Sequence, residues 1–310
     1  MNKLTAIIIN PISGKGNGKR FFEENKSLFN MYANVNIYLT KKPKHATEIT
    51  EKLGNKYDRV IVCGGDGTLH EVINGLSFSS DVLLGLIPIG SGNDFSLSFH
   101  NKKGTSKKLL EYYLSSNPKI RKIDFANIDI KDTEGKIFHK RMINSFGAGF
   151  DAKVAYYNQT NKILSGTLSY ITAILKALFE FSHIDYKLTL DETKQLDGNA
   201  LFCAIGNGQS IGGGLYLMPR AKLDDGYLNL SIVKIKSRLK LMILLPKAIS
   251  NLLDDSKELE QYKFSNLKLK LLTPFFLHID GEIITDKAEE ITINIAEQKL
   301  NFMCNFKSDN

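Results

Sequence analysis

The chain has 310 residues, 43% of them hydrophobic and 24% charged, and a formal net charge of +8. Such a chain can bury a sizeable core, which excludes the disordered class, and its length suits two domains. The positive balance favours anionic partners (nucleotides, phospholipid surfaces or nucleic acid) without choosing among them.

Residues 1–122 alternate strand-like and helix-like patterns. The apolar run Leu4–Ile9 predicts a strand and is followed by a glycine-rich loop, Pro11–Gly18. Phe21, Phe22, Leu28 and Phe29 then recur at helical spacing. Val35–Leu39 predicts a strand, Ala46–Leu53 a helix, Arg59–Cys63 a strand, Thr68–Leu76 a helix and Val82–Ile87 a strand. That alternation argues for a parallel sheet with helices on its faces, whose ligands bind beyond the carboxyl ends of the strands.

Past Lys122 the pattern becomes β-rich, with strand-like runs at Ile123–Ile130, Lys187–Leu190, Leu201–Ile205, Tyr227–Ile235, Leu267–Leu272 and Ile291–Ile295. Helical stretches at Lys162–Phe181 and Arg238–Leu253 interrupt it. The expected architecture is therefore an α/β domain over 1–122 and a β-rich domain over 123–296. Cys63, Cys203 and Cys304 are widely spaced and set in apolar runs, which predicts buried reduced thiols in a cytosolic protein and no zinc site. No leader and no membrane span are expected, since the first apolar stretch is short and no run reaches the length of a spanning helix.

The sharpest motif is Gly64-Gly65-Asp66-Gly67-Thr68, between a strand and a helix. Glycines there let a phosphate approach backbone N–H groups at the positive end of the helix. A carboxylate among such amides suits Mg²⁺, bound directly or through water; the structural alternative is a tight turn with Asp66 as a helix cap. A second loop runs Pro88-Ile89-Gly90-Ser91-Gly92-Asn93-Asp94-Phe95, where Ser91 and Asn93 offer hydrogen bonds to phosphate or ribose oxygens. The first loop, Asn10-Pro11-Ile12-Ser13-Gly14-Lys15-Gly16, matches neither a Walker A loop nor GxGxxG, which disfavours P-loop and Rossmann enzymes.

In the second half, Asp224-Asp225-Gly226 suits either a hard cation held by oxygens or a hairpin turn. In His278-Ile279-Asp280-Gly281-Glu282, strand geometry would put Asp280 and Glu282 on one face. From Ser231 to Leu253 there is no acidic residue, while Lys234, Lys236, Arg238, Lys240 and Lys247 surround apolar residues 241–245. That is the make-up of a segment lying on an anionic bilayer, or of a helix with solvated lysines packed on a sheet.

The three loops in this order, with Gly64–Gly75 reading GGDGTLHEVING, resemble the diacylglycerol kinase catalytic domain, a family that includes bacterial lipid kinases and is related to sphingosine kinases. The resemblance implies an α/β nucleotide-binding domain of the NAD kinase and phosphofructokinase type followed by a β-sandwich domain, with the tail, about 297–310, able to return to the first. It implies nucleotide contacts from Asn10, Pro11, Ile12, Ser13, Gly14, Thr40, Gly64, Gly65, Asp66, Gly67, Thr68, Glu71, Ser91, Gly92 and Asn93. It implies a structural Mg²⁺ on the Asp225 carboxylate and the carbonyls of Lys222 and Tyr227, and a catalytic base in Asp280-Gly281-Glu282: Glu282 is favoured, with Asp280 orienting or binding metal, Asp280 as the base is the alternative, and Asp66 acts through Mg²⁺.

Departures are Ser96-Leu97 where the family has Ala-Arg, Arg220 where it has an acidic or neutral residue, and Ile283 in place of proline. The implied activity is ATP- and Mg²⁺-dependent phosphorylation of a lipid hydroxyl in phospholipid metabolism, diacylglycerol giving phosphatidic acid, by a cytoplasmic protein touching the inner face of the membrane. An NAD kinase-like small-molecule enzyme and a nucleotide-binding protein without catalysis are the competing readings. Nucleic acid is not an expected partner, and pairing of sheet edges into a homodimer stays open.

Overall fold

A computed structural model describes residues 3–77, 81–99, 105–115, 117–160, 166–253 and 256–305. The chain forms two compact units, 1–123 with 299–310, and 124–298.

In the first unit every residue of Thr5–Ile9 and of Arg59–Gly64 is buried. Strands with both faces covered read as continuous apolar runs, the mark of a parallel sheet under helices. The strand order is Val35–Leu39, Thr5–Ile9, Arg59–Gly64, Leu83–Pro88, Leu300–Cys304, Lys119–Ile123. The first five are parallel, and Lys119–Ile123 closes the edge antiparallel to Leu300–Cys304. The last strand is anchored by its side chains as well as its ladder. Phe302 packs on Phe95 and Phe99 with ring centroids 5.2 and 5.5 Å away.

The second unit is a β-sandwich domain whose described residues form one ten-stranded antiparallel sheet and a separate antiparallel pair, Ser210–Ile211 with Leu215–Tyr216. Its spine is a hairpin of two 14-residue strands, Asn266–Ile279 and Glu282–Ile295. Register shifts between Lys270 and His278 bend the first strand. It thereby pairs with Ile184–Leu190 along one stretch and with Ser145–Gly149 along another. Ala126–Asp132 alternates buried and exposed residues, one face on the core and one in water. Ser145–Gly149 and Phe202–Gly206 are buried throughout because the helices Phe150–Thr160, Gly166–Ala177 and Arg238–Ile249 cover their other face.

The structure corrects the expected elements in three ways. Ile123–Ile130 is not one strand but parts of two, Lys119–Ile123 and Ala126–Asp132, in different units. The break falls at Asp124, whose N–H donates to the Leu223 carbonyl and whose carboxylate accepts the Gly226 N–H. The Lys162–Phe181 stretch yields a helix at Gly166–Ala177 and a short 3₁₀ turn at Leu178–Glu180; residues 162–165 lie outside those described. The helix Phe150–Thr160 was not expected, because its apolar residues keep no single stripe.

Candidate active site

Within the first unit, the sheet brings the three glycine-rich loops to one edge. Asn10, Thr40, Gly65 and Ile89 each follow the carboxyl end of a parallel strand. Thr40 N–H donates to the Ile9 carbonyl, and Asn10 N–H to the Cys63 carbonyl, so neighbouring loops leave the sheet tied together. Side chains add cross-links. Asn10 Nδ2 donates to Thr68 Oγ1 at 3.0 Å, and Asn10 Oδ1 accepts the Ile12 N–H at 3.2 Å. Gly14, Lys15 and Gly16 have φ of 58°, 58° and 95°, so the segment after Ser13 coils left-handed before the regular helix begins.

The second and third loops touch through bare backbone. A Cβ on Gly90 would lie 2.4 Å from Gly65 Cα, so no other residue fits there without moving the loops apart. Asn93 takes a left-handed φ of 57° and donates from Nδ2 to the Gly90 carbonyl at 2.8 Å, while its Oδ1 is buried without a hydrogen-bond partner. Ser91 is exposed at the loop tip, and Gly92 and Asn93 are half-buried.

Asp66 joins these loops. Its two carboxylate oxygens accept the N–H groups of Asp94 and Phe95 at 3.0 and 3.1 Å. It therefore caps the helix Asp94–Phe99 from a different loop while standing in the first turn of its own helix, Asp66–Gly75. The sequence alternatives, a carboxylate for a cation and a helix cap, thus meet in one residue. Glu71, on the same helix, accepts the N–H groups of Lys44 and Ala46 at 2.8 and 2.9 Å, which ties the start of the helix His45–Leu53 to this cluster.

In the second unit, Asp280 and Glu282 do not share a strand face. Asp280 and Gly281 form a two-residue turn with φ of 51° and 84°, and Glu282 opens the next strand. A left-handed aspartate costs about 1 kcal/mol or more, and the neighbourhood offsets it. Its buried carboxylate accepts three backbone N–H groups, from Ile143 at 3.2 Å, Asn144 at 2.8 Å and Ser145 at 2.9 Å. Asp280 is therefore the lock of this turn. Glu282 is exposed, and Gln159 Nε2 donates to its Oε2 at 3.3 Å and to the Gly281 carbonyl at 2.8 Å.

At the Lys222–Tyr227 turn, Asp225 Oδ1 accepts the Tyr227 N–H at 3.2 Å. Asp225 Oδ2 is buried, has no hydrogen-bond partner and lies 2.7 Å from the Lys263 ammonium, which also sits 4.6 Å over the Tyr227 ring. The chemistry of this turn suits a positive charge, and Lys263 supplies one. Among the described residues no cluster of three or more His, Cys, Asp or Glu side chains could hold a metal ion by itself.

Several residues here escaped the sequence reading. Asp124 is buried and holds the 223–226 segment, while Asn207 donates from Nδ2 to the carbonyls of Asp124 and Ile143. Asp151, Tyr170 and Gln159 were also missed. Asp151 directly follows the glycine-rich run Ser145–Phe150, the one local sign that could have flagged it.

Residues 5–128 match the diacylglycerol kinase catalytic domain, and residues 144–302 match the YegS C-terminal NAD kinase beta sandwich-like domain. A diacylglycerol kinase of Staphylococcus saprophyticus is 30% identical over 290 residues, 91% of this chain and 90% of that protein. Among solved structures, a diacylglycerol kinase from Bacillus anthracis superposes with a TM-score of 0.70 at 21% identity, covering 98% of this chain and 97% of the other. Yeast NADH kinase shares the fold at a TM-score of 0.59 and 12% identity, covering 100% of this chain and 86% of the other.

Proposed function

Because this chain belongs to the diacylglycerol kinase catalytic-domain family, we propose that it transfers the γ-phosphoryl group of ATP to the hydroxyl of a membrane lipid, with diacylglycerol as the acceptor and phosphatidic acid as the product. The observation that carries this reading is the gathering of Asn10–Gly14, Thr40, Gly64–Thr68 and Ser91–Asn93 at the carboxyl edge of one parallel sheet, cross-linked by the Asp66 carboxylate.

The first unit's loops bind the nucleotide. Glycine at 65 and 90 lets the two loops pack backbone on backbone, and the N–H groups at the positive end of the helix Asp66–Gly75 receive the phosphate oxygens. Asp66 would hold a Mg²⁺ brought by the nucleotide, and the ion would supply charge neutralisation at the transferring group, a role that needs only one or two protein carboxylates. Asp66 fits that need chemically, since two N–H donors aim at it as at a charged acceptor. The second unit's Glu282 takes the acceptor proton; it is exposed, whereas Asp280 is buried and committed to three amides.

Features of the second unit support a lipid acceptor met at a membrane surface. On the helix Arg238–Ile249, Leu241, Leu244 and Ala248 are buried, but Leu239, Met242 and Ile243 face solvent at 70%, 42% and 57% exposure. Lys236, Arg238 and Lys247 lie among them, and Lys240 pairs with Glu258 at 2.8 Å. An apolar surface rimmed by cations is what settles on an anionic bilayer. Beneath it lies a cavity of about 60 Å³, lined almost entirely by apolar side chains of this unit. Among the described residues no helix is long and apolar enough to cross a membrane.

The test is incubation with labelled ATP, Mg²⁺ and mixed micelles of diacylglycerol, monoacylglycerol, a sphingoid base or phosphatidylglycerol, beside an NAD arm. Label in organic-phase phosphatidic acid is expected. Glu282→Gln should lower kcat by roughly 10²–10⁴-fold. Label entering only the dinucleotide would give the chain the small-molecule reading instead.

A further inference from the structure

In the second unit, three side chains that the kinase reading does not use form one buried line of hydrogen bonds. Tyr170 donates its hydroxyl to Asp151 Oδ1 at 2.8 Å, and His278 Nε2 lies 2.8 Å from Asp151 Oδ2. Asp151 and His278 are only 4% and 3% exposed. A carboxylate buried this deeply needs donors, so Nε2 carries the imidazole proton and Nδ1 is left as an acceptor. The Gly281 N–H points at that Nδ1, 3.3 Å away. Gly281 directly precedes Glu282.

Two further observations show that the line is built in. A Cβ on residue 147 would lie 2.0 Å from Asp151 Oδ2 and 2.4 Å from His278 Nε2, so glycine is what leaves room for the pair. The Gly281 peptide is also gripped from its other side, its carbonyl accepting from Gln159 Nε2 at 2.8 Å. Buried polar and ionic groups add little stability over apolar packing of equal volume, and the neighbours of Asp151 and Tyr170, such as Phe150, Val154 and Ile174, are apolar. What the line adds is orientation.

We infer that His278, held in its Nε2–H form by Asp151 and Tyr170, is a positioning residue that fixes the turn carrying Glu282 and so the aim of the Glu282 carboxylate. This rests on the reading of Glu282 as the base of a lipid kinase. The imidazole is the acceptor that holds the Gly281 N–H; without it the turn keeps its Asp280 lock and the Gln159 contacts but loses the bond on the peptide N–H that directly precedes Glu282. His278 exchanges no proton with substrate.

The test compares wild type with His278→Leu, which removes both contacts, His278→Asn, whose side-chain oxygen can still accept the Gly281 N–H, and Asp151→Asn. Kinetics with diacylglycerol micelles are read beside hydrogen exchange of the 280–283 amides. His278→Leu should lower kcat about tenfold or more with KM for ATP within about twofold. It should also speed exchange at Gly281 about tenfold, and His278→Asn should recover most of both losses. Unchanged exchange in His278→Leu overturns the inference whatever the activity. Faster exchange with full kcat overturns it too. An inactive wild type sinks the kinase reading alone, and the exchange arm then still decides whether His278 holds the turn. Asp151→Asn guards against a His278→Leu chain that does not fold, and faster Gly281 exchange in it counts the same way.

Discussion

The carboxylate of Asp66 accepts the backbone N–H of Asp94 at 3.0 Å, so the acid of one glycine-rich loop holds the start of the helix that follows another. Structure and chemistry can be separated at this residue. Asp66→Ala removes cap and charge, and should cost about 1 kcal/mol of stability. Asp66→Asn keeps an acceptor oxygen and should cost less. Both should lose about 10²-fold or more in ATP turnover, because the charge proposed to meet a nucleotide-bound cation is gone. Thermal melts beside a turnover assay check this, and full turnover in both variants would refute the role given to Asp66.

Gly90→Ala tests the contact between loops. Its methyl group would meet Gly65 Cα, a backbone atom that cannot rotate aside. Overpacking of that kind costs about 1–3 kcal/mol, and separating the loops should weaken ATP binding. Gly226→Ala is a control, since a Cβ there meets nothing within 4 Å, although its φ of 79° still strains alanine. Titration with a fluorescent ATP analogue should show a loss for Gly90→Ala only.

The Asp225 turn carries a prediction about cations. Lys263 is about half exposed, so its ion pair is worth at most about 1 kcal/mol. Lys263→Met leaves the buried Asp225 oxygen without a positive neighbour. Added Mg²⁺ should then raise the melting midpoint of Lys263→Met more than that of wild type, with EDTA reversing the gain. Equal responses in the two proteins would mean that lysine and cation do not compete at this turn.

Burial pushes the Cys203 thiol up to about 12 and raises that of Cys63 as well. The neutral thiol is thereby favoured in the folded state. The resulting stability is fully present below the unfolded thiol's value of 9.0 and is lost as pH rises toward the folded values. Native protein at pH 8 should therefore resist iodoacetamide at Cys63, Cys203 and the buried Cys304, and all three should react after unfolding in guanidinium. Denaturant midpoints should fall as pH is raised above 9.0.

The sequence by itself determined what depends on neighbours along the chain. A buried parallel strand is apolar over most of its length, so Leu4–Ile9 and Arg59–Cys63 were legible, and Gly64-Gly65-Asp66-Gly67-Thr68 carried the family. The return of the C-terminal strand to the first unit's sheet came from the family resemblance, since five residues paired with strands far back in the chain carry no local sign.

Only the tertiary structure decided how the acids are used. Asp280 and Glu282 look alike in sequence, yet one binds amides 135 to 137 residues away and the other faces solvent. His278 meets Asp151 across 127 positions. Periodicity reports which face of an element is apolar, but a buried hydrogen bond is set by where distant backbone comes to rest, and no local pattern encodes that.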